Sequence, residues 1–247
     1  MAELLVDIHG LGKLIDGTRL VDGVTLRLGR GEILGLTGPV GGGKTTALRM
    51  LAGLVRPDLG HGTVLGEDVV VPLSRRRGRI GYMGQRLALY PELSVIDNLL
   101  CNNPARDADA PYPRLEAVLK AMALTGFADD LAGTLANGPA RRLHFAGILM
   151  NAPQLLLLDE PGAGFDRETN DLIWRAIEQV AADGGGAIVA SCDMAELARC
   201  TAFVPFADQQ AGTQFDFDMI LPATGASVVD EALRLLAGGG GRRLAHN

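Results

Sequence analysis

GPVGGGKTT, residues 38–46, decides how the rest of the chain reads. It fits G-x-x-x-x-G-K-[ST], with Gly38, Gly43, Lys44 and Thr45 in register and Pro39, Val40, Gly41, Gly42 and Thr46 completing the loop. An apolar run, ILGLTG, precedes it and a helical pattern, TTALRMLAGLV, follows. Strand, glycine loop and helix in that order open a βαβ unit. Such a loop turns its N–H groups inward around phosphates, and side chains at its glycine positions would obstruct it. The helix that starts at Lys44 adds its N-terminal dipole. Lys44 is placed to reach the β- and γ-phosphates, and the Thr45 hydroxyl to ligate Mg²⁺. A glycine turn that matches by chance is the competing reading, and the flanking strand and helix weigh against it.

The second element is QLLLLDEP, residues 154–161. Four consecutive leucines describe a strand buried on both faces, as in a parallel sheet. Asp159 emerges at the strand's carboxyl end, where ligands bind in open α/β sheets, and is the expected Mg²⁺-side carboxylate. Glu160 follows as the candidate to polarise an attacking water; a solvated acid at a helix start is its bland alternative.

Around these two motifs the chain organises as α/β. Two strand patterns, LLVDIHGLGKLI and LVDGVTLRL, flank a turn at Asp16-Gly17. Short apolar runs between 56 and 84 (TVLG, VVVP, RIGYM) suggest small strands. From 87 to about 150 the character is helical, with Ser94 as a helix cap and PRLEAVLKAMAL at helical spacing. Strand and helix then alternate through AIVASC. A C-terminal extension over 206–237, with a helix through VVDEALRLLA, and a flexible tail over 238–247 complete the chain.

Composition narrows the function classes. The chain has 247 residues, 47% of them hydrophobic, and a formal net charge of −6, which argues against a primary nucleic-acid binder with its basic stripe. Cys101, Cys192 and Cys200 lack metal-ligand spacing and fit reduced cytosolic thiols. The acid-bearing start, MAELLVDIHG, does not fit a signal peptide, and no apolar run approaches the ~18–20 residues of a membrane span. A cytoplasmic protein is expected, reaching a membrane only through a partner.

In the order of its parts the chain resembles the ATP-binding cassette (ABC) ATPases of the drug-resistance exporter type, over about residues 4–205. GPVGGGKT is similar to their Walker A loop and LLLLDE to their Walker B strand with its catalytic glutamate. IGYMGQRLALYPELSVIDNL looks like their glutamine-loop region, with Gln85 as the glutamine that senses Mg²⁺ and water, and PGAGFD like their D-loop, ending at Asp166. The resemblance implies a P-loop NTPase: a RecA-like core, an antiparallel β subdomain and an inserted helical subdomain. It implies Mg-ATP as ligand, a transmembrane permease as partner, and a second ATPase chain, each ATP lying between one chain's Walker motifs and the other's signature loop. Small-molecule kinases lack the glutamine loop and the Asp-Glu followed by a D-loop.

Departures from that family set the expectation for activity. The signature position, usually LSGGQ, reads LANGP. Ala136 replaces the serine whose hydroxyl would bond the γ-phosphate, a charge-assisted bond of roughly 1.5–3 kcal/mol. Asn137 stands where glycine lets the backbone approach, Gly138 is retained, and Pro139 has no N–H to offer. As a plain helix start the stretch reads well, with Asn137 at the cap. Cys192 takes the place of the switch histidine, and a thiol is a weak donor. Ile15 stands near the place of the adenine-stacking aromatic.

The expectation is therefore a weakly hydrolysing ATPase in a dimer with unequal sites. A heterodimer divides the two defects, whereas a homodimer combines them in both sites. A non-motor regulatory subunit of a membrane complex and a non-transport P-loop ATPase are the alternatives. Three smaller features read blandly: RRRGR at 75–79 as a solvated turn, LALYPEL at 87–93 as subdomain core or the wall of a groove for a membrane subunit, and Trp174, His144 and Cys200 as structural.

Overall fold

A computed structural model describes residues 3–101, 112–207, 209–212 and 214–216. The expected helix at 228–237, the tail, and residues 103–111 of the loop expected over NPARDADAPYP (103–113) lie outside the described residues, while Tyr112 and Pro113 of that stretch open a helix. The architecture is α/β. Strands β1 (Leu4–Ile15) and β2 (Thr18–Gly29) form an antiparallel hairpin, extended by β4 (Leu59–Val64) and β5 (Glu67–Asp68) into an antiparallel sheet. Asp16 and Gly17 both take positive φ at the hairpin turn, 50° and 77°, as a two-residue turn between twisted strands requires.

The second sheet is parallel. Its order is β9 (Ala202–Ala207), β3 (Ile33–Thr37), β8 (Gly186–Ala190), β7 (Leu155–Asp159) and β6 (Ile80–Met83). The short β10 (Gln210–Ala211) joins the two sheets, pairing parallel with β2 and antiparallel with β9, and β11 (Phe215–Asp216) also pairs with β9. The sheet thus continues past the boundary expected at residue 205.

The leucine run behaves as a doubly buried strand should. Leu155 and Leu157 enter the core shared with β1, β2 and helix α1 (Lys44–Leu51), while Leu156 and Leu158 enter the core on the opposite face. That second core receives helices α2 (Val95–Cys101), α3 (Tyr112–Ala121), α4 (Asn137–Leu149) and α5 (Arg167–Ala182), which place Leu99, Leu119, Phe145 and Trp174 there. A further short helix, α6 (Met194–Leu197), follows β8.

Several local expectations are corrected. VVVP forms no strand: Val69 is buried in a turn, and a 3-10 turn covers Leu73–Arg75. Arg76, expected in a solvated turn, is fully buried. It donates to the Leu51 and Asp68 carbonyls and pairs with Glu67 at 3.6 Å, because a buried guanidinium needs partners. The cap of α4 is Ala136 (φ −63°, ψ 162°) and not Asn137, which is the first helical residue, and no side chain caps this end. Ser94, by contrast, accepts from the Asp97 N–H at 3.1 Å as expected. No helix among the described residues is long and apolar enough to cross a membrane.

Candidate functional site

The turns at the carboxyl ends of β3 and β7 converge on one cavity of about 170 Å³. Gly41–Thr46 form one wall, Gln85, Asp159 and Glu160 another, and Leu20 and Gln209 close the side. Lys44 is 5% exposed, and its Nζ donates to the Gly38 and Pro39 carbonyls at 2.6 and 2.9 Å. Thr45 Oγ1 donates to Asp159 Oδ2 at 2.8 Å. Burial pushes the Asp159 carboxyl above the usual carboxylate range and Glu160 adds to this, while the Thr45 bond, Arg49 and Lys44 oppose it. A hydroxyl and a buried carboxylate in contact, with the Gln85 amide on the same cavity, make a hard oxygen donor set that fits Mg²⁺. A cation there would favour the charged form of Asp159.

The loop's glycines serve different ends. Gly38 has φ +133°, and a Cβ on it would lie 2.0 Å from the Phe206 carbonyl oxygen of β9; its role is close packing against that strand. Around Gly41 a Cβ would meet nothing within 4 Å.

Glu160 has a left-handed backbone, φ 52°, held at both ends: its N–H donates to the Ala190 carbonyl at 2.8 Å, and its own carbonyl accepts from Arg141 at 2.9 Å. Cys192, just beyond β8, donates to the Gly38 carbonyl at 3.2 Å, and its Sγ lies 3.6 Å from Lys44 Nζ. The switch position therefore touches the phosphate loop. Next to it, Ser191 Oγ donates to Glu196 at 2.6 Å, and the same carboxylate accepts from Trp174 Nε1 at 3.1 Å.

The remaining expected site residues lie elsewhere. Ile15 is exposed beside the hairpin turn and does not line the cavity; Leu20 stands in that wall. Ala136 and Asn137 are exposed at the start of α4, away from the cavity lining. Gly138 faces the D-loop stretch of the same chain, since a Cβ on it would lie 2.9 Å from Asp166 Oδ2. Asp166 caps α5, accepting from the Thr169 N–H at 2.8 Å and from its hydroxyl at 2.9 Å, and these bonds lower its pKa.

Sequence reasoning missed Arg141. It is 2% exposed and donates to the carbonyls of Gln85, Glu160 and Pro161, with its guanidinium 5.1 Å from the Phe165 ring centroid. Burial lowers its pKa, with Asp159 and Glu196 opposing. Its acceptors are backbone oxygens, which no residue pattern announces.

Two further cavities flank the site. One of about 290 Å³ runs between β6 and α4, lined by Leu54, Arg77, Tyr82, Leu89 and His144. Another, about 650 Å³, connects His144 and Arg86 to Gln85 and Asp159. Leu87 and Tyr90 are exposed beside them, while Leu89 packs on the helical core.

His144 Nδ1 has no hydrogen-bond partner among the described residues. Burial, and then the Arg141 charge, holds its pKa at about 4, against 6.5 for an ordinary histidine. The unfolded chain therefore takes up this proton first as pH falls. The contribution of this group to stability is fully present above pH 6.5 and is lost toward pH 4, by about 3 kcal/mol in all. His144→Leu is expected to flatten that part of the pH dependence; urea midpoints measured from pH 7 to 4.5 check it.

Comparison with known proteins agrees with this geometry. The ABC transporter family model matches residues 21–163. The chain is 35% identical over 188 residues to the probable multidrug ABC transporter ATP-binding protein YbhF of Escherichia coli, covering 74% of this chain and 32% of YbhF. It is 35% identical over 204 residues to the Nod factor export ATP-binding protein I of Bradyrhizobium diazoefficiens, covering 81% of this chain and 66% of that protein. The chain thus spans about a third of the length of the first relative and just under two thirds of the second. In fold it is similar to the ATP-binding subunit of an ABC transporter (TM-score 0.83, 21% identity, 93% of this chain and 99% of that one). It is also similar to a dimeric ATP-binding cassette solved in a post-hydrolysis state with ADP and Pi (TM-score 0.76, 22% identity, 85% of this chain and 98% of that one).

Proposed function

The chain belongs to the ABC transporter family of ATP-binding proteins, and from that premise we propose that it is the weakly hydrolysing ATP-binding subunit of an exporter-type transporter, acting in a dimer with unequal sites. The observation that carries the nucleotide reading is the 2.8 Å bond between Thr45 and Asp159 in the cavity that Lys44, Gln85 and Glu160 share. The exporter reading draws on the two relatives, one named for multidrug transport and one for Nod factor export.

In this reading the phosphates of ATP lie along Gly41–Thr46, with Lys44 exchanging its loop carbonyls for β- and γ-phosphate oxygens. Thr45, Asp159 and Gln85 would hold Mg²⁺, whose charge, when it is bound, offsets that of the phosphates. Glu160 accepts the proton of the attacking water at its carboxylate. Leu20 packs against the base from the cavity side.

Two features support weak hydrolysis. Ala136 offers no hydroxyl, either as a cap for α4 or toward a neighbour's nucleotide. Cys192 holds the phosphate loop through Gly38, where the family's histidine would face the γ-phosphate. A partner cassette with an intact signature loop then completes this chain's site, and LANGP faces the partner's. The grooves beside β6 and α4 receive a cytoplasmic segment of the permease, which holds the subunit at the cytoplasmic face of the membrane. The contact of Cys192 with Lys44 and Gly38 also favours a second reading, in which bound ATP regulates the complex without driving it.

The test is ATP turnover of the purified chain alone and with its membrane partners. Slow turnover alone, rising in the assembly, is expected; fast turnover by the isolated chain would sink the unequal-site reading. Cys192→His is expected to raise turnover by roughly tenfold or more, given the 10²–10⁴ that a positioned catalytic group commonly supplies. An unchanged rate counts against the assignment of residue 192.

A further inference from the structure

We propose that Arg141 is the positioning residue that sets Glu160 and Gln85 against the phosphate loop, carried there by the helix whose first turn holds the altered LANGP stretch. The inference rests on the reading of Glu160 as the base. A guanidinium stays charged and, when buried, must find acceptors. Arg141 finds three of them on two stretches of backbone that leave the parallel sheet together: the Gln85 carbonyl beyond β6 at 3.4 Å, and those of Glu160 and Pro161 beyond β7 at 2.9 and 3.3 Å. Its plane also lies over Phe165, one residue before the cap of α5. One rigid fork thus spans the glutamine loop, the exit of the leucine strand and the D-loop stretch.

Glu160 needs such a tie. Its φ of 52° is a conformation that a residue with a Cβ adopts only at a cost, and the bonds at its N–H and its carbonyl fix it there. Direction of the backbone sets direction of the carboxylate. Arg142, the next residue, supplies the contrast. It too is buried, but its Nη1 donates to the Met122 and Ala123 carbonyls inside the helical bundle, and among the described residues no hydrogen-bond partner of its guanidinium lies on the cavity. The signature helix therefore acts on this chain's own site through Arg141, whatever its first turn does for a neighbour.

The test uses the full chain with Arg141→Met, Arg141→Lys and, as references, Arg142→Met and Glu160→Gln. Hydrogen exchange at the amides of 85–86 and 160–165 (Pro161 having none) is measured together with Mg-ATP affinity and single-turnover hydrolysis in the membrane assembly. Arg141→Met is expected to speed exchange at those amides by about tenfold or more. Turnover should fall by about 10²-fold, the scale of a misplaced catalytic group, with affinity within about threefold of the parent. Arg141→Lys, which keeps the charge but reaches fewer carbonyls, falls between; it carries the comparison if the methionine variant does not fold. Arg142→Met is expected to lower the melting temperature without loosening those loops. Three results overturn the proposal: unchanged exchange at 85–86 and 160–165, loosened loops with unchanged turnover, or a joint loss of affinity, turnover and melting temperature like that of Arg142→Met. Glu160→Gln separates the two ideas. If it keeps full turnover, the base reading fails, while the exchange result still decides the role of Arg141.

Discussion

Glu160→Gln is expected to bind Mg-ATP with an affinity within a few-fold of the parent and to lose about 10²–10⁴ in single-turnover hydrolysis. The substitution is nearly isosteric and leaves the backbone bonds to Ala190 and Arg141 in place, so the carboxamide occupies the carboxylate's position on the cavity. What it removes is a proton acceptor. Lys44, Thr45 and Asp159 are untouched, and in the proposed reading they account for the grip on phosphate and cation. Binding measured by equilibrium dialysis, beside hydrolysis measured in the membrane assembly, separates the two effects. If transport persists when hydrolysis at this site is lost, the regulatory reading prevails and the motor lies in the partner's site.

Gly38→Ala is expected to cost more than about 4 kcal/mol, a size of effect confined to a few structural causes. Two of them coincide here. The backbone sits at φ +133°, and the new methyl would be driven to 2.0 Å from the Phe206 carbonyl oxygen, a backbone atom of a central strand that cannot swing aside. Gly41→Ala is the control: nothing lies within 4 Å of its Cβ, so only the backbone term for φ +80° remains, about 1–2 kcal/mol. Urea midpoints of the two variants should therefore differ widely. Equal midpoints would show that β9 yields to the loop, and the close packing would lose its meaning.

The difference between those glycines marks how far the sequence could be read. The motif states that glycine is required and suggests a reason, room for phosphate. The reason at Gly38 is a neighbour 168 positions away, which the motif does not mention. Local patterns carried well: the hairpin at Asp16-Gly17, the doubly buried leucine strand, and the Ser94 cap all follow from period and side-chain chemistry. Where a position was decided by distant backbone, the pattern misled or was silent. Arg76 looks solvated among its basic neighbours, yet is drawn inside by the Leu51 and Asp68 carbonyls. Asn137 is a better cap by propensity than Ala136, but the chain enters α4 one residue earlier. The wall of the cavity at Leu20 and Gln209 depends on β10 pairing with β2, a bridge of two residues with no periodicity to detect.

The buried carboxylate of Glu196 ties Trp174, the chain's single tryptophan, to Ser191, the residue before the switch position. Arg199 lies over the indole, 5.0 Å from the ring centroid. An indole held by one hydrogen bond and one cation responds in its emission to any change in either. Trp174 is therefore expected to serve as an intrinsic, label-free optical reporter of the Glu196–Ser191 contact, which emission spectra recorded with and without Mg-ATP check.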